Sequence, residues 1–247
     1  MRADSQLAVA LIYPTLLGTY GDGGNASVLA RRAEWRGTPG RVVTVDVDDP
    51  LPASADIYVL GGGEDSAQTI AVARLAADGT LGRTTAGVFA VCAGFQILGE
   101  TFLDGSGAVH PGLGLLDART DRLPGPRAVG ELLARPRQAG LPMLTGYENH
   151  GGRTTLGPLA RPLARVERGI GNGDGGEGAT QDQIVATYLH GPALARNPAL
   201  ADLILARVLG PLAPLDDTEE DELRHERLGF VRHRGRWRRQ YRPPARA

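Results

Sequence analysis

Short apolar runs alternate with segments of helical periodicity over the first hundred residues of the chain. Four runs have the length of a buried strand: 7–13, 41–47, 56–60 and 88–91. Two of the intervening segments carry a helical pattern: 26–36, which Gly37 closes, and 66–77. Strands separated by helices of this length predict an α/β fold with a central, mostly parallel sheet flanked by helices.

Three loops follow the predicted strands at their carboxyl ends: 14–24, 61–65 and 92–94. In open parallel sheets these ends share one edge, and ligand sites lie along that edge. Glycine is frequent in the first two loops, and it lets the backbone approach a ligand closely. The sequence therefore predicts a site on this edge of the sheet.

The rest of the chain is less regular. Short strand candidates cover 113–117, 128–133, 144–149, 161–167 and 183–189. Glycine and acidic residues dominate 169–178, which predicts a flexible surface loop. Asn197 and Pro198 begin a helix that extends to about Leu209, with the proline where its missing N–H does no harm.

The one cysteine of the chain, Cys92, lies between the apolar run 88–91 and a helical segment. A nucleophile at a strand-to-helix turn projects its side chain, and small neighbours such as Ala93 and Gly94 let the backbone make that turn. The positive end of the helix favours a thiolate there. The alternative interpretation of this stretch alone is a buried, inert cysteine.

Composition is that of an ordinary globular protein, with 247 residues, 42% hydrophobic and 22% charged, and a net charge of −1. No apolar run approaches the roughly 18 residues of a membrane span, and the N-terminus has no signal-peptide pattern. One cysteine excludes an internal disulfide and fits the reducing cytoplasm, where we expect the protein. The chain has no lysine, which excludes Schiff-base chemistry and a P-loop lysine.

Other site classes find little support in the sequence. The histidines, at 110, 150, 190, 225 and 233, show no metal-ligand spacing, so we expect no metal. The glycines of 18–24 lack the P-loop ending and the Rossmann spacing, and there is no Gly-x-Ser-x-Gly. A cysteine nucleophile needs a base, and both His150 and His190 follow strand candidates. Spacing alone does not choose between these two histidines.

Several segments resemble the class I, or triad-type, glutamine amidotransferases. Residues 91–99 are similar to their nucleophile turn, and residues 61–65 to their oxyanion loop. Residues 188–192, Tyr-Leu-His-Gly-Pro, resemble the catalytic-histidine segment of the branch that includes the amidotransferase domain of cobyric acid synthase. Residues 20–25, 146–154 and 187–192 look like the GatD family, the glutaminase subunits of lipid II isoglutaminyl synthase. The resemblance covers about residues 7 to 210 and implies the class I fold with its nucleophile elbow.

The resemblance implies hydrolysis of L-glutamine through a thioester. Cys92 would attack the side-chain amide, while His190 takes the thiol proton and returns it to the leaving ammonia. The N–H groups of Ala93 and of Gly62 or Gly63 would hold the oxyanion.

Substrate recognition in the family uses an arginine downstream of the nucleophile helix. An Arg-x-x-Gly-acid pattern assigns Arg127, and Arg122 is its rival. A guanidinium suits the α-carboxylate of glutamine because it pairs with it through two hydrogen bonds. Gln96, one turn into the helix, is either a substrate contact or a helix surface residue. We expect His150 to support the pocket through its backbone.

One position departs from the family pattern. Many members carry a carboxylate two residues after the histidine, where this chain has Pro192. Either cysteine and histidine act as a dyad, or an acid comes from elsewhere, including a partner. The family partner is a Mur-ligase-like subunit of the MurT type, which would supply the ATP and Mg site, so this chain needs no cofactor. In this heterodimer, ammonia would amidate the α-carboxylate of D-glutamate in lipid II to D-isoglutamine.

Two other functions stay open on the sequence. The first is an amidotransferase that serves another synthetase, such as a cobyrinic or cobyric acid amidase. That family usually fuses the synthetase to the same chain, and 247 residues leave no room for one. The second is a non-catalytic partner-binding module of the same fold, and the presence of Cys92 and His190 counts against it.

We expect a domain over 1–210, followed by a helix and an arginine-rich tail over 211–247. From Arg224 onward the chain has nine arginines and one glutamate. This run is typical of a solvated tail or of a segment that docks on a partner or an anionic membrane. Nucleic-acid binding is disfavoured because the whole chain is near neutral. Docking in an acidic groove would use Trp237 and Tyr241 as aromatic anchors.

Overall fold

The computed structural model describes residues 6–240, and their side chains as far as residue 229. In this range the strands are β1 (Leu7–Ile12), β2 (Gly40–Val45), β3 (Ile57–Leu60), β4 (Gly87–Val91), β5 (Thr101–Leu103), β6 (Val109–Pro111), β7 (Ala118–Arg122), β8 (Ala128–Pro136), β9 (Leu144–His150), β10 (Gly152–Leu156), β11 (Ala164–Arg168), β12 (Gly176–Glu177), β13 (Ala179–Gln181) and β14 (Ile184–Thr187). The helices are α1 (Gly24–Glu34), α2 (Asp65–Asp78), α3 (Ala93–Leu98), α4 (Ala193–Arg196), α5 (Pro198–Leu209) and α6 (Thr218–Gln240).

The central sheet has six strands in the order β13-β14-β4-β3-β1-β2. All neighbours are parallel except β13, which pairs antiparallel with β14 at one edge. The predicted mostly parallel sheet is therefore confirmed. Thr187, the last residue of β14, pairs with Val91, the last residue of β4. This register brings the segments that follow the two strands to the same edge of the sheet.

The central strands are buried because the sheet carries helices. Every residue of β1, β3 and β4 is buried, which explains why these strands appear in the sequence as continuous apolar runs. Helix α1 packs on β1 and β2 and also contacts α5, while α3 packs on β4 and contacts α2. Arg32 of α1, only 2% exposed, forms an ion pair of 2.7 Å with Asp202 of α5. A buried guanidinium with this partner fixes the two helices against each other.

The middle of the chain forms two further four-stranded sheets, ordered β10-β7-β5-β6 and β12-β11-β8-β9. Two predictions are wrong here. Residues 113–117 form bends rather than a strand, and β7 starts only at Ala118. Residues 169–178 are not a surface loop throughout, because Asn172 and Glu177 are fully buried. Their side chains bond to backbone and side-chain groups of the chain, which holds the loop inside.

The chain divides into two compact units, Met1–Leu215 and Asp216–Ala247. The first contains the three sheets and helices α1 to α5, and the second contains α6. The side chain of Trp237 and the whole of Tyr241 lie outside the described residues. In the described chain, none of the helices combines the length and the apolar character that crossing a membrane requires.

Candidate active site

Cys92 occupies a strained turn between β4 and α3. Its backbone has φ 51° and ψ −104°, a conformation that residues other than glycine rarely adopt. Such strain costs on the order of 1–3 kcal/mol and is found mainly at functional sites. Gly94 permits the turn, because a Cβ at this position would lie 2.7 Å from Cβ of Leu60. Only 8% of Cys92 is exposed, so the thiol is held at the base of a depression in the surface.

His190 follows β14, and β14 lies next to β4, the strand that presents Cys92. The residue is 1% exposed, and its backbone is fixed by Tyr147 of β9. The His190 N–H donates to the Tyr147 carbonyl at 2.8 Å, and the Tyr147 N–H donates back at 3.2 Å. This bridge sets the position of the imidazole without using its ring nitrogens.

Asp22 is the acid that pairs with His190. Its Oδ2 lies 2.8 Å from Nδ1 of His190 and also accepts the Gly62 N–H at 2.9 Å. The aspartate is fully buried. It lies in the loop between β1 and α1, far in sequence from Pro192, where the family pattern places the acid. The carboxylate thus comes from this chain itself, which sequence reasoning left undecided.

The electrostatics of these three side chains favour a charged imidazole. Burial is the largest influence on the pKa of His190 and lowers it, but the hydrogen bond to Asp22 and the neighbouring Cys92 outweigh burial and raise this pKa to about 10. At neutral pH the ring is therefore an imidazolium between a carboxylate and a thiol. Since Asp22 takes Nδ1, Nε2 is the nitrogen left for Cys92. A cation beside a cysteine is the setting in which a thiolate nucleophile forms.

The three residues predicted to bind the oxyanion, Gly62, Gly63 and Ala93, differ in whether their N–H groups are free to do so. A Cβ on Gly62 would lie 2.6 Å from Cε1 of His190 and 3.5 Å from Cβ of Cys92, so Gly62 is at the centre of the site. Its N–H, however, is occupied by Asp22. Gly63 and Ala93 line the cavity beside Cys92, and among the described residues their N–H groups find no acceptor.

A cavity of about 250 Å³ opens beside the thiol. Cys92, Arg122, Arg127 and His150 all line it, so the structure brings both candidate arginines to the site. Arg122 ends β7, and its guanidinium makes no hydrogen bond to the residues that the structure describes. Arg127 precedes β8 and is held by Asn149, with Nε 2.5 Å from the side-chain oxygen.

Gln96 is a buried residue of the cavity wall and not a helix surface residue. Its Oε1 accepts from Gln68 at 3.0 Å, and its Nε2 donates to the Tyr188 hydroxyl at 3.2 Å. His150 stacks on the ring of Tyr188, with centroids 3.8 Å apart, and its Nδ1 lies 2.9 Å from the Gly152 carbonyl oxygen. The imidazole of His150, and not only its backbone, therefore belongs to the wall.

Glu177 supports the segment that carries His190. Its Oε1 accepts the Thr187 hydroxyl at 2.5 Å and the Tyr188 N–H at 2.9 Å. Burial is the main cause that raises the pKa of this carboxyl, to about 7, against the two hydrogen bonds. No pattern in the sequence marked this glutamate, because it lies in a glycine-rich stretch that is typical of a loop.

Residues 8–198 match a protein family described as the CobB/CobQ-like glutamine amidotransferase domain. Subunit GatD of lipid II isoglutaminyl synthase (glutamine-hydrolyzing) from Streptococcus pneumoniae is 35% identical over 215 residues, which cover 83% of this chain and 81% of that protein. The Staphylococcus aureus protein of the same name is 30% identical over 231 residues, covering 86% and 90%. A cobyric acid synthase from Sphingopyxis alaskensis is 32% identical over 182 residues, covering 69% of this chain and 35% of that protein.

Solved structures agree with the architecture. A glutamine amidotransferase crystal structure superposes with a TM-score of 0.56 at 20% identity, over 81% of this chain and 98% of that one. A glutamine amidotransferase from Thermotoga maritima gives a TM-score of 0.53 at 14% identity, over 91% and 86%. Identities this low show a shared fold and nothing more.

Proposed function

The chain belongs to the CobB/CobQ-like glutamine amidotransferase family, and we propose that it is the glutaminase subunit of a lipid II isoglutaminyl synthase. The observation that carries the proposal is the buried set of Cys92, His190 and Asp22 on the edge of the parallel sheet. A nucleophile, a base and an acid that orients the base are the parts that amide hydrolysis through a thioester requires.

The first half-reaction releases ammonia from L-glutamine. The Cys92 thiolate attacks the side-chain amide carbon, and the carbonyl oxygen becomes an oxyanion. When this intermediate collapses, the C–N bond breaks and the His190 imidazolium gives its proton to the departing nitrogen. Asp22 stabilises the imidazolium through the hydrogen bond at Nδ1, so the proton that moves is the one on Nε2.

The second half-reaction returns the enzyme to its starting state. Neutral His190 takes a proton from a water molecule, which attacks the thioester and frees glutamate and the Cys92 thiolate. In both halves we assign the oxyanion to the N–H groups of Gly63 and Ala93, since the N–H of Gly62 is engaged by Asp22. Arg127 binds the α-carboxylate of the substrate, and Gln96 lies in the wall against which the substrate packs.

The ammonia serves a second subunit. The relatives that match most of this chain carry the name of a lipid II synthase subunit, which supports assembly with a Mur-ligase-like partner of the MurT type. That partner would hold ATP and Mg and amidate the α-carboxylate of D-glutamate in lipid II to D-isoglutamine, in the cytoplasm. No cofactor is assigned to this chain.

Amidation of a corrinoid acid is the second candidate, favoured by the similarity to cobyric acid synthases. The extent of the matches supports lipid II instead, since this chain covers 81% and 90% of the two GatD proteins but 35% of that cobyric acid synthase. A non-catalytic module finds no support in a site where Asp22 is bonded to His190 and where the imidazole and Cys92 both border Gly62.

The test is a choice between acceptors. The full-length chain is purified with the Mur-ligase-like subunit of the same cell and given L-glutamine, ATP, Mg and either lipid II or cobyrinic acid. We expect mass spectrometry to find the amide in lipid II and to find cobyrinic acid unchanged. Amidation of cobyrinic acid alone would assign the chain to the corrinoid branch, and ammonia release with neither acceptor modified would argue for another synthetase.

A further inference from the structure

A chain of contacts connects the substrate-binding arginine to the catalytic histidine. Arg127 donates from Nε and Nη2 to the side-chain and backbone oxygens of Asn149, at 2.5 Å and 3.1 Å. The amide nitrogen of Asn149 donates to the hydroxyl of Tyr20. The ring of Tyr20 in turn meets the ring of His190 edge-on, with centroids 5.1 Å apart and an angle of 67°. Neither Asn149 nor Tyr20 has a part in the reaction steps above.

Asn149 decides which edge of the Arg127 guanidinium remains for a ligand. A guanidinium presents two edges to a carboxylate: the side edge, Nε with Nη2, and the end edge, Nη1 with Nη2. Asn149 occupies the side edge with both of its oxygens. The end edge is left for the α-carboxylate of glutamine. An exposed arginine otherwise loses much rotamer freedom when it binds, so a fixed orientation favours substrate binding.

Tyr20 is held in an unusual conformation at the other end of this chain of contacts. Its φ of 59° lies in the left-handed region, and Asp22 follows two residues later in the same loop. The side chain is 46% exposed, yet its ring contacts both His190 and Tyr147, and its hydroxyl accepts from Asn149. Backbone strain at an exposed tyrosine with three such contacts is typical of a residue kept for its position.

We propose that Asn149 and Tyr20 are positioning residues for glutamine hydrolysis. Asn149 orients Arg127 so that the substrate carboxylate binds end-on, and Tyr20 fixes Asn149 while its ring packs against His190. Through this pair, the position of Arg127, which binds the substrate, is linked to the position of His190, which moves the proton. The proposal rests on the proposed glutaminase function.

The experiment measures steady-state ammonia release from L-glutamine by the full-length chain with its ligase subunit. Asn149→Ala removes the side-chain oxygen that holds Nε of Arg127 and keeps the backbone oxygen that holds Nη2. We expect KM to rise about 10- to 100-fold, the worth of one hydrogen bond to a charged group, with kcat within about threefold. Tyr20→Phe keeps the ring and removes the hydroxyl, so KM rises several-fold and kcat stays. Tyr20→Ala also removes the ring, and kcat falls as well. Tyr58→Phe is the matched control, because it removes a tyrosine hydroxyl that donates to the Pro52 carbonyl away from the cavity, and it leaves both constants unchanged.

A substrate analogue separates positioning from a merely structural role. L-glutaminamide carries an uncharged carboxamide in place of the α-carboxylate, so it gains little from an oriented Arg127. We expect Asn149→Ala to lower kcat/KM for L-glutamine at least tenfold more than for L-glutaminamide. Equal losses on both substrates, or an unchanged KM for L-glutamine, would overturn the inference while wild-type activity upholds the proposed function. A wild-type complex that releases no ammonia would instead overturn the proposed function, and this inference with it.

Discussion

Replacing Asp22 by asparagine removes the charge of the acid and keeps its shape. The carbonyl of the amide can take the place of Oδ2 and accept from His190 and Gly62 as the carboxylate does. The NH₂ group takes the place of Oδ1, which has no hydrogen-bond partner among the described residues. The variant therefore tests the charge of Asp22 with little change in packing.

The expected loss follows from the bond that changes. A hydrogen bond to a buried charged group is worth about 1.5 to 3 kcal/mol, which corresponds to a decrease of about 10- to 150-fold in kcat/KM. Without the negative charge the imidazolium is less favoured, so the pKa of His190 falls from about 10. Activity needs a protonated His190, and the alkaline limb of the pH profile should therefore move down by about one to two pH units.

The assay is ammonia release by the complex over a range of pH, with thermal unfolding of each variant as a check on folding. Asp56→Asn is the matched control, because Asp56 accepts the Ala8 N–H at 2.8 Å before β3, at the other end of the sheet. We expect this control to change thermal stability but not the pH profile. If Asp22→Asn keeps both the wild-type kcat/KM and the wild-type alkaline limb, cysteine and histidine act as a dyad and the role given to Asp22 is wrong.

Three further predictions concern groups around the thioester chemistry. A glutamine-analogue electrophile should label Cys92 in His150→Ala but not in His190→Ala, and the reverse pattern would exchange the roles of the two histidines. Glu177 keeps its proton in the folded protein from pH 4.5, its ordinary pKa, to about 7, so stability should fall across this window as pH rises, by on the order of 3 kcal/mol. Thermal unfolding against pH should show this slope in the wild type and a weaker slope in Glu177→Gln; identical slopes would contradict the assignment. Gly62→Ala puts a methyl group 2.6 Å from His190 and should lower kcat at least tenfold, whereas Gly82→Ala, with its nearest atom at 3.7 Å, should not; equal rates would refute the packing argument.

The sequence predicts the central sheet well because burial leaves a clear signal there. Strands β1, β3 and β4 are covered along their whole length, so each one is a continuous apolar run between loops. Apart from β8 and β9, the other two sheets contain strands of two to five residues, such as β12 and β6, with few apolar positions. Such short strands are defined by their pairing with distant segments, which local pattern does not contain.

The residues of the candidate site differ in the same way: some are predicted by the local sequence, and others depend on contacts with distant segments. Cys92 could be singled out because it follows an apolar run that ends at the active edge of the sheet, whereas only the family resemblance of residues 188–192 separated His190 from His150. Asp22 could not, since its contact with His190 spans 168 residues and glycines flank it on both sides in its loop. Burial of Gln96 was equally hidden, because only the packing of Gln68 and Tyr188 around its amide makes a helical glutamine part of the cavity wall.

The central claim is that ammonia made at Cys92 becomes the amide of lipid II. The direct measurement supplies the full-length chain and its ligase subunit with ATP, lipid II and L-glutamine whose side-chain amide carries a heavy nitrogen isotope. The account predicts heavy nitrogen in the α-carboxamide of D-isoglutamine, its loss in Cys92→Ser, and recovery of amidation in that variant when ammonium chloride is added. Transfer of the heavy nitrogen by Cys92→Ser at the wild-type rate would contradict the claim.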